Sequence, residues 1–149
     1  MKISIGCDKA GVLFIERICS ELEAKGIEYE ILFDGKEDGC DYTDAAFAVA
    51  KNVASEKSEL GILICGTGIG MSMAANKIKG IRAAVCSDTF SARMTRIHNN
   101  ANILCMGARV IGEELAVCIL HEFLSAEFES GGRHERRVNK IIDAENGIF

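Results

Sequence analysis

The sequence predicts a three-layer α/β/α sandwich on a five-stranded, mostly parallel sheet. Three observations carry that expectation. Short apolar stretches alternate with segments of helical periodicity along the whole chain. The run Leu60-Gly61-Ile62-Leu63-Ile64-Cys65 lacks polar alternation, as a central parallel strand covered on both faces requires. The chain has 149 residues, 48% hydrophobic and 26% charged, enough for one domain with its own core.

Residues 3–7 form the first expected strand, ending at Asp8. Phe14, Ile15, Ile18, Cys19 and Leu22 recur at helical spacing, and Lys25-Gly26 stops that helix. Tyr29 to Phe33 is the second strand, followed by the polar loop Asp34-Gly35-Lys36-Glu37-Asp38-Gly39. A helix from about Thr43 carries Ala46, Phe47, Ala50 and Val53 on one face. After the central strand, Gly66-Thr67-Gly68-Ile69-Gly70 opens a helix through Lys77. Arg82 to Cys86 gives a fourth strand, Thr89 to Ile97 a helix, and Ala101 to Met106 a fifth strand. Leu115, Ala116, Ile119, Leu120 and Phe123 mark a long helix that Gly131-Gly132 breaks, and Arg133 to Ala144 forms the last. In such a fold the site lies in loops at the carboxyl ends of the strands, here those beginning at Asp8, Cys65, Ser87 and Gly107.

Composition excludes several classes. A net charge of −5 argues against a general nucleic-acid binder. No apolar run approaches the roughly 20 residues that span a bilayer, and the first residues reach an acid at Asp8, too early for a secretory leader. The expectation is a soluble cytoplasmic protein that contacts neither membrane nor nucleic acid. The seven cysteines, at 7, 19, 40, 65, 86, 105 and 118, include no Cys-x-x-Cys pair. They read as reduced core residues beside one special thiol, and no spaced His/carboxylate set suggests a metal. Proline is absent, so turns rest on Gly, Asn and Asp.

The segment Cys65-Gly66-Thr67-Gly68-Ile69-Gly70 is the most informative. Its glycines let the backbone turn tightly and present amides to phosphate, carboxylate or a developing oxyanion, with a thiol at the mouth of the loop. The plainer reading is a tight turn with a core cysteine. Met71 stands where a dinucleotide fingerprint needs its third glycine and where a cysteine phosphatase needs arginine. A P-loop fails as well, because Gly66 leads only to Met71-Ser72. His98-Asn99-Asn100 closes a helix; His98 can act as general acid or base, or simply cap that helix. Arg133 and Arg137 share a helical face and suit a clamp on a phosphate dianion, or else belong to a solvated charged face. His121 receives no role.

Together, Gly6-Cys7-Asp8-Lys9-Ala10-Gly11, Ile64 to Gly70, Ala74-Ala75-Asn76-Lys77, Gly80-Ile81-Arg82-Ala83, His98-Asn99-Asn100-Ala101-Asn102 and Gly131-Gly132-Arg133-His134 resemble the ribose-5-phosphate isomerase B / galactose-6-phosphate isomerase family over nearly the whole chain. The resemblance implies a Rossmann-like sheet and a cofactor-independent aldose–ketose isomerase of sugar phosphates, ribose 5-phosphate to ribulose 5-phosphate. It implies Cys65 as the base moving a proton between C1 and C2. The amides of Gly66, Gly68, Ile69 and Gly70, with Thr67, would stabilise the enediolate. His98 and Asp8 would assist ring opening, Arg109, Arg133 and Arg137 would hold the phosphate, and Tyr42 and Asn99 would touch the sugar. It further implies a homodimer or homotetramer with shared sites, the helix over about 131–145 at the subunit interface, and His98, Asn99 and Arg109 supplied by the neighbour. Two departures stand out. Lys9 replaces the histidine usual after the first-strand aspartate, and Tyr42-Thr43-Asp44 replaces Tyr-Pro-Asp. Asp8-Lys9-Ala10-Gly11 resembles the A subunit of galactose-6-phosphate isomerase, which usually lacks the reactive cysteine present here. The alternatives are therefore a galactose 6-phosphate or allose 6-phosphate type of hexose isomerase, or a non-catalytic subunit of a hetero-oligomer.

Overall fold

Strand β1 (Lys2–Cys7) leads through α1 (Val12–Ala24) to β2 (Glu28–Asp34), and α2 (Tyr42–Ala54) leads to β3 (Leu60–Cys65). There follow α3 (Ile69–Ala75), β4 (Ala83–Val85), α4 (Thr89–Asn99), β5 (Ile103–Gly107), α5 (Glu113–Ser125) and α6 (Arg133–Glu145). The computed structural model describes residues 1–36, 39 and 41–148. Cys40, with Glu37 and Asp38 of the expected polar loop, lies outside the described residues.

The sheet has the order β2-β1-β3-β5-β4, and every pairing is parallel. Ile5 lies opposite Ile62, and Ile62 opposite Leu104. All six residues of β3 are buried, which explains why that strand lacks alternation. On one face Ile3, Ile5, Ile62, Ile64, Leu104 and Met106 pack against Phe14, Ile15, Ile18 and Leu22 of α1 and Ile119, Leu120 and Phe123 of α5. On the other, Leu63, Cys65, Ile103 and Cys105 meet Ala45, Ala46, Val49, Ala50 and Val53 of α2 and Met71, Ala74 and Ala75 of α3. Each fully buried aliphatic side chain contributes about 1.5–3 kcal/mol relative to exposure, so the central strands form a rigid platform. His121 bridges α5 to α1, its Nε2 2.8 Å from Glu21 Oε2.

Several boundaries differ from the sequence expectation. Helix α5 ends at Ser125 instead of running to Gly131; Ala126 is already extended, and the Glu129 amide donates to Ile97 O at 3.0 Å. Helix α3 stops at Ala75, two residues short of Lys77, and α4 continues two residues past Ile97. Strand β4 has three residues, Ala83–Val85, and side chains bind around its start. Asn76 bonds both the N–H and the carbonyl of Ala83, and Asn102 Oδ1 accepts from Arg82 N at 2.8 Å. Strand β5 begins at Ile103, two residues later than the expected Ala101. Phe47 is half-buried, while Ala45 and Val49 complete the buried face of α2.

Strand order reverses between β1 and β3, so a crevice opens at their carboxyl ends, at Asp8 and Cys65. No helix among the described residues is long and apolar enough to cross a membrane.

Candidate active site

Two groups of side chains stand at opposite edges of the sheet. The first gathers at the carboxyl edge. Asp8 Oδ1 accepts from the Ala10 and Gly11 amides at 2.9 and 3.1 Å, which closes the turn into α1. That turn is pressed on its neighbours: a Cβ built at Gly11 would lie 2.3 Å from Ile64 O, and one at Gly35 2.4 Å from Asp8 O. Exposed Lys9 follows Asp8 directly.

Cys65 ends β3 and is 5% exposed. The Gly68 amide donates to its Sγ at 3.1 Å. Gly68 reaches that position with φ +79°, a left-handed conformation that glycine adopts without steric cost. Thr67 is exposed, and its Oγ1 accepts from the Ile69 amide at 3.3 Å. Tyr42 lies against the loop, since a Cβ at Gly70 would meet its Cε2 at 2.7 Å. The segment after β5 is laced to the same loop by Ala108 N to Cys65 O at 2.8 Å and Arg109 N to Gly66 O at 3.0 Å. The Arg109 Cδ therefore sits beside Gly66, 3.6 Å from where a Cβ would stand. Arg109, expected from a neighbouring subunit, accompanies the thiol loop of its own chain.

The other core thiols differ from Cys65 in their surroundings. Burial, with the charges of Asp8 and Asp34 beside it, pushes Cys7 up to about 12. Burial and Asp88 push Cys86 up to about 11, and burial holds Cys105 well above the ordinary thiol range. These groups stay protonated near neutral pH. Cys118 departs from the expected core role and is exposed on α5.

The second group stands at the amino edge. Helix α4 runs back along the sheet, so its last turn delivers His98 and Asn99 to the start of the strands. Asn100 then takes a left-handed conformation, φ +49°, with its amide on Arg96 O, the 5→1 bond of an αL helix stop, and the Ala101 amide on Thr95 O. Arg82 Nε donates to Asn100 O at 2.7 Å and Arg96 Nη1 to Ala101 O at 2.6 Å, pinning the turn. Asn99 lines a cleft of about 510 Å³ with Thr95, Arg82 and Ile141. Arg133 and Arg137 lie in the first turns of α6, which packs across α4.

The separation of the two groups follows from register. Gly61 N, at the start of β3, donates to Asn102 O just after the His98 turn, whereas Cys65 ends the same strand. The two levels are about 13 Å apart at roughly 3.3 Å per residue. One chain thus unites Asp8, Lys9, Tyr42, Cys65, Thr67, Gly66, Gly68, Ile69, Gly70 and Arg109 at one edge. It sets His98, Asn99, Arg133 and Arg137 at the other.

Sequence reasoning missed His134, whose ring stacks on His98 with centroids 4.1 Å apart and planes 6° from parallel. Its place inside a basic cluster drew attention to the arginines on either side. The pinning role of Arg82, Arg96 and Asn102 was also illegible, since it depends on a backbone turn that forms only in the fold. Ligand atoms of His98, Glu129 and His134 lie within 4.8 Å of one another. They fit a metal poorly: in stacked rings the nitrogen lone pairs run side by side instead of converging, and Arg133 Nε already sits 3.3 Å from His134 Nε2.

Comparisons with known proteins agree with this architecture. A family model described as Ribose/Galactose Isomerase matches residues 3–141. The chain is 44% identical over 144 residues to ribose-5-phosphate isomerase B of Escherichia coli, covering 97% of this chain and 96% of that protein. Ribose-5-phosphate isomerase B of Clostridium thermocellum superposes with a TM-score of 0.94 at 46% identity, covering 99% of each chain. Ribose-5-phosphate isomerase B of Mycoplasma genitalium, solved with bound ribulose 5-phosphate, gives 0.91 at 41% identity, over 97% of this chain and 96% of that one.

Proposed function

The chain belongs to the ribose/galactose isomerase family, and on that premise we propose that it interconverts ribose 5-phosphate and ribulose 5-phosphate through an enediolate, using no metal or organic cofactor. The observation that carries the reading is the Cys65 thiol at the mouth of the glycine loop, with the Gly68 amide on its sulfur. After the sugar ring opens, Cys65 removes the proton from C2. The released electron pair forms the C1–C2 double bond, and the carbonyl π electrons move onto O1. Amides of the Gly66–Gly70 loop and the Thr67 hydroxyl face that charge. Cys65 then returns the proton to C1 while the proton of O2 passes to O1, which leaves a ketone at C2 and a hydroxyl at C1.

Ring opening needs a proton delivered to the ring oxygen and one taken from the C1 hydroxyl. His98 is suited to that exchange near neutral pH. It stands at the opposite edge from Cys65, so we propose a two-fold dimer in which the His98, Asn99, Arg133 and Arg137 edge of one copy completes the Cys65 edge of the other. The exposed apolar side chains Ile141 and Ile142 of α6 support placing that helix at the contact. In such a pairing Arg109 reaches the phosphate from the thiol side, and Arg133 and Arg137 reach it from the other.

Lys9 bears on which sugar is accepted, because it follows Asp8 on the Cys65 side of the crevice. Lysine reaches further than histidine and keeps its charge near neutral pH. The test is purified protein assayed alone for kcat/KM on ribose 5-phosphate and on hexose 6-phosphates, beside Lys9→His. Ribose 5-phosphate is expected to lead for the wild type. Lys9→His is expected to change the ratio between the two sugar classes with little effect on thermal unfolding. Preference for a hexose 6-phosphate would overturn the pentose assignment, and failure to turn over any sugar phosphate would leave a non-catalytic subunit. An unchanged ratio would move the preference away from Lys9.

Replacing Arg133 and Arg137 together by Ala is expected to raise KM for phosphorylated sugar by roughly two orders of magnitude, the scale of losing charge-assisted bonds to a phosphate dianion. Binding of free ribose, already poor, should hardly change. Equal losses for both ligands would contradict a phosphate clamp.

A further inference from the structure

We infer that His134 is a positioning residue that joins the ring-opening and phosphate-holding functions of the amino edge, accepting a hydrogen bond from Arg133 while carrying the His98 ring on its face. The inference rests on the roles given to His98 and Arg133 above. His134 sits in the first turn of α6 and is 6% exposed. The helix start is fixed by the Gly131 amide donating to Glu135 Oε2 at 2.7 Å. Arg133 Nε donates to His134 Nε2 at 3.3 Å. A nitrogen that accepts this N–H cannot itself hold a proton, so the ring proton resides on Nδ1. The opposite assignment would set two donors against each other.

Every element around the ring has a charged or titratable group facing it: His98 from α4, Glu129 from the segment before α6, and Arg133 and Arg137 from α6 itself. Burial, then the charges of His98, Arg133 and Arg137, disfavour an imidazolium, and Glu129 Oε2 at 3.8 Å opposes them without reversing the balance. His134 stays neutral, so Arg133 keeps its acceptor and His98 keeps a flat, uncharged neighbour at 4.1 Å. Without that neighbour, the half-exposed His98 ring at a helix end is free to change rotamer. A proton donor that wanders loses the alignment on which ring opening depends. Without the acceptor, the Arg133 fork is no longer preset for a phosphate.

Two substitutions separate these functions. His134→Phe keeps an aromatic face for His98 and removes the acceptor. It is expected to raise KM for ribose 5-phosphate about tenfold with kcat within about twofold, as for a lost orienting bond on a binding arginine. His134→Gln keeps an acceptor and removes the stack. It is expected to lower kcat about tenfold with KM within about twofold, as for a misaligned proton donor. Nitrogen-15 spectroscopy of labelled histidine in the wild-type protein gives a readout independent of how the variants fold, since the chain has only three histidines. His134 is expected to be neutral with its proton on Nδ1 at pH 7. A cationic His134 at pH 7, a proton on Nε2, or two variants depressing the same parameter alike would overturn the coupling. His98→Asn and Arg133→Ala serve as references. If neither alters turnover or KM, the reading of the site fails and takes this inference with it. If both act as expected while His134 holds the wrong tautomer, the coupling alone is lost.

Discussion

Cys65→Ser is expected to turn over ribose 5-phosphate at least about a hundredfold more slowly than the wild type, the usual scale of losing a general base. Serine fills the same space at the end of β3 and can still accept from the Gly68 amide, so the loop should hold its shape. What changes is the acid–base chemistry, because a hydroxyl cannot take a carbon-bound proton near neutral pH as a thiolate can. The measurement is kcat at saturating substrate, with unfolding temperature and phosphate affinity as controls. Near-normal turnover would remove Cys65 from the mechanism. Alkylation provides a parallel test, but exposed Cys118 will be modified as well. In a Cys118→Ser background, substrate-protected labelling should map to residue 65, because Cys7, Cys86 and Cys105 are held protonated by burial.

The second large effect concerns two inactive proteins that repair each other. Cys65→Ser damages one edge of the sheet, and His98→Asn damages the other. In a two-fold dimer whose sites each draw on both chains, a mixed dimer has one site with both lesions and one with neither. Equal amounts of the two variants, unfolded and refolded together, should recover about a quarter of wild-type activity: about half the dimers are mixed, and each has one sound site of two. Each variant refolded alone should stay near its own low level. No recovery in the mixture, with both variants folded, would mean that each site is built within one chain.

Much of this architecture was legible in the sequence because its signals are local. The continuous apolar run of β3 announced a buried parallel strand, and the glycines after Cys65 announced a tight loop at its mouth. Element ends were less legible, since they depend on distant partners. Asn76 and Asn102, on either side of β4 in the chain, bind the backbone at its start. The Glu129 amide finds a carbonyl on α4, so the segment after Ser125 does not continue the helix. Among site residues, Cys65, Thr67 and the loop glycines are neighbours in the chain and could be read as a unit. Arg109 was misplaced because only the pairing of β5 with β3 reveals that it adjoins Gly66. His134 was overlooked because a ring stacked on another 36 positions away leaves no trace in spacing.

The close approach of the loops at the carboxyl edge limits how proteins with this edge can diversify. A Cβ at Gly11 would collide with the backbone of β3, one at Gly35 with that of Asp8, and one at Gly107 would lie 2.7 Å from the Thr67 backbone. Backbone cannot rotate aside as a side chain can, so no substitution at these positions is absorbed by a local change of rotamer. Insertions fare no better, because each loop is packed against the next. New substrate preferences on this scaffold must therefore arise by exchanging the side chains that stand on the edge, at Lys9, Tyr42 and Thr67, while the edge itself is inherited whole.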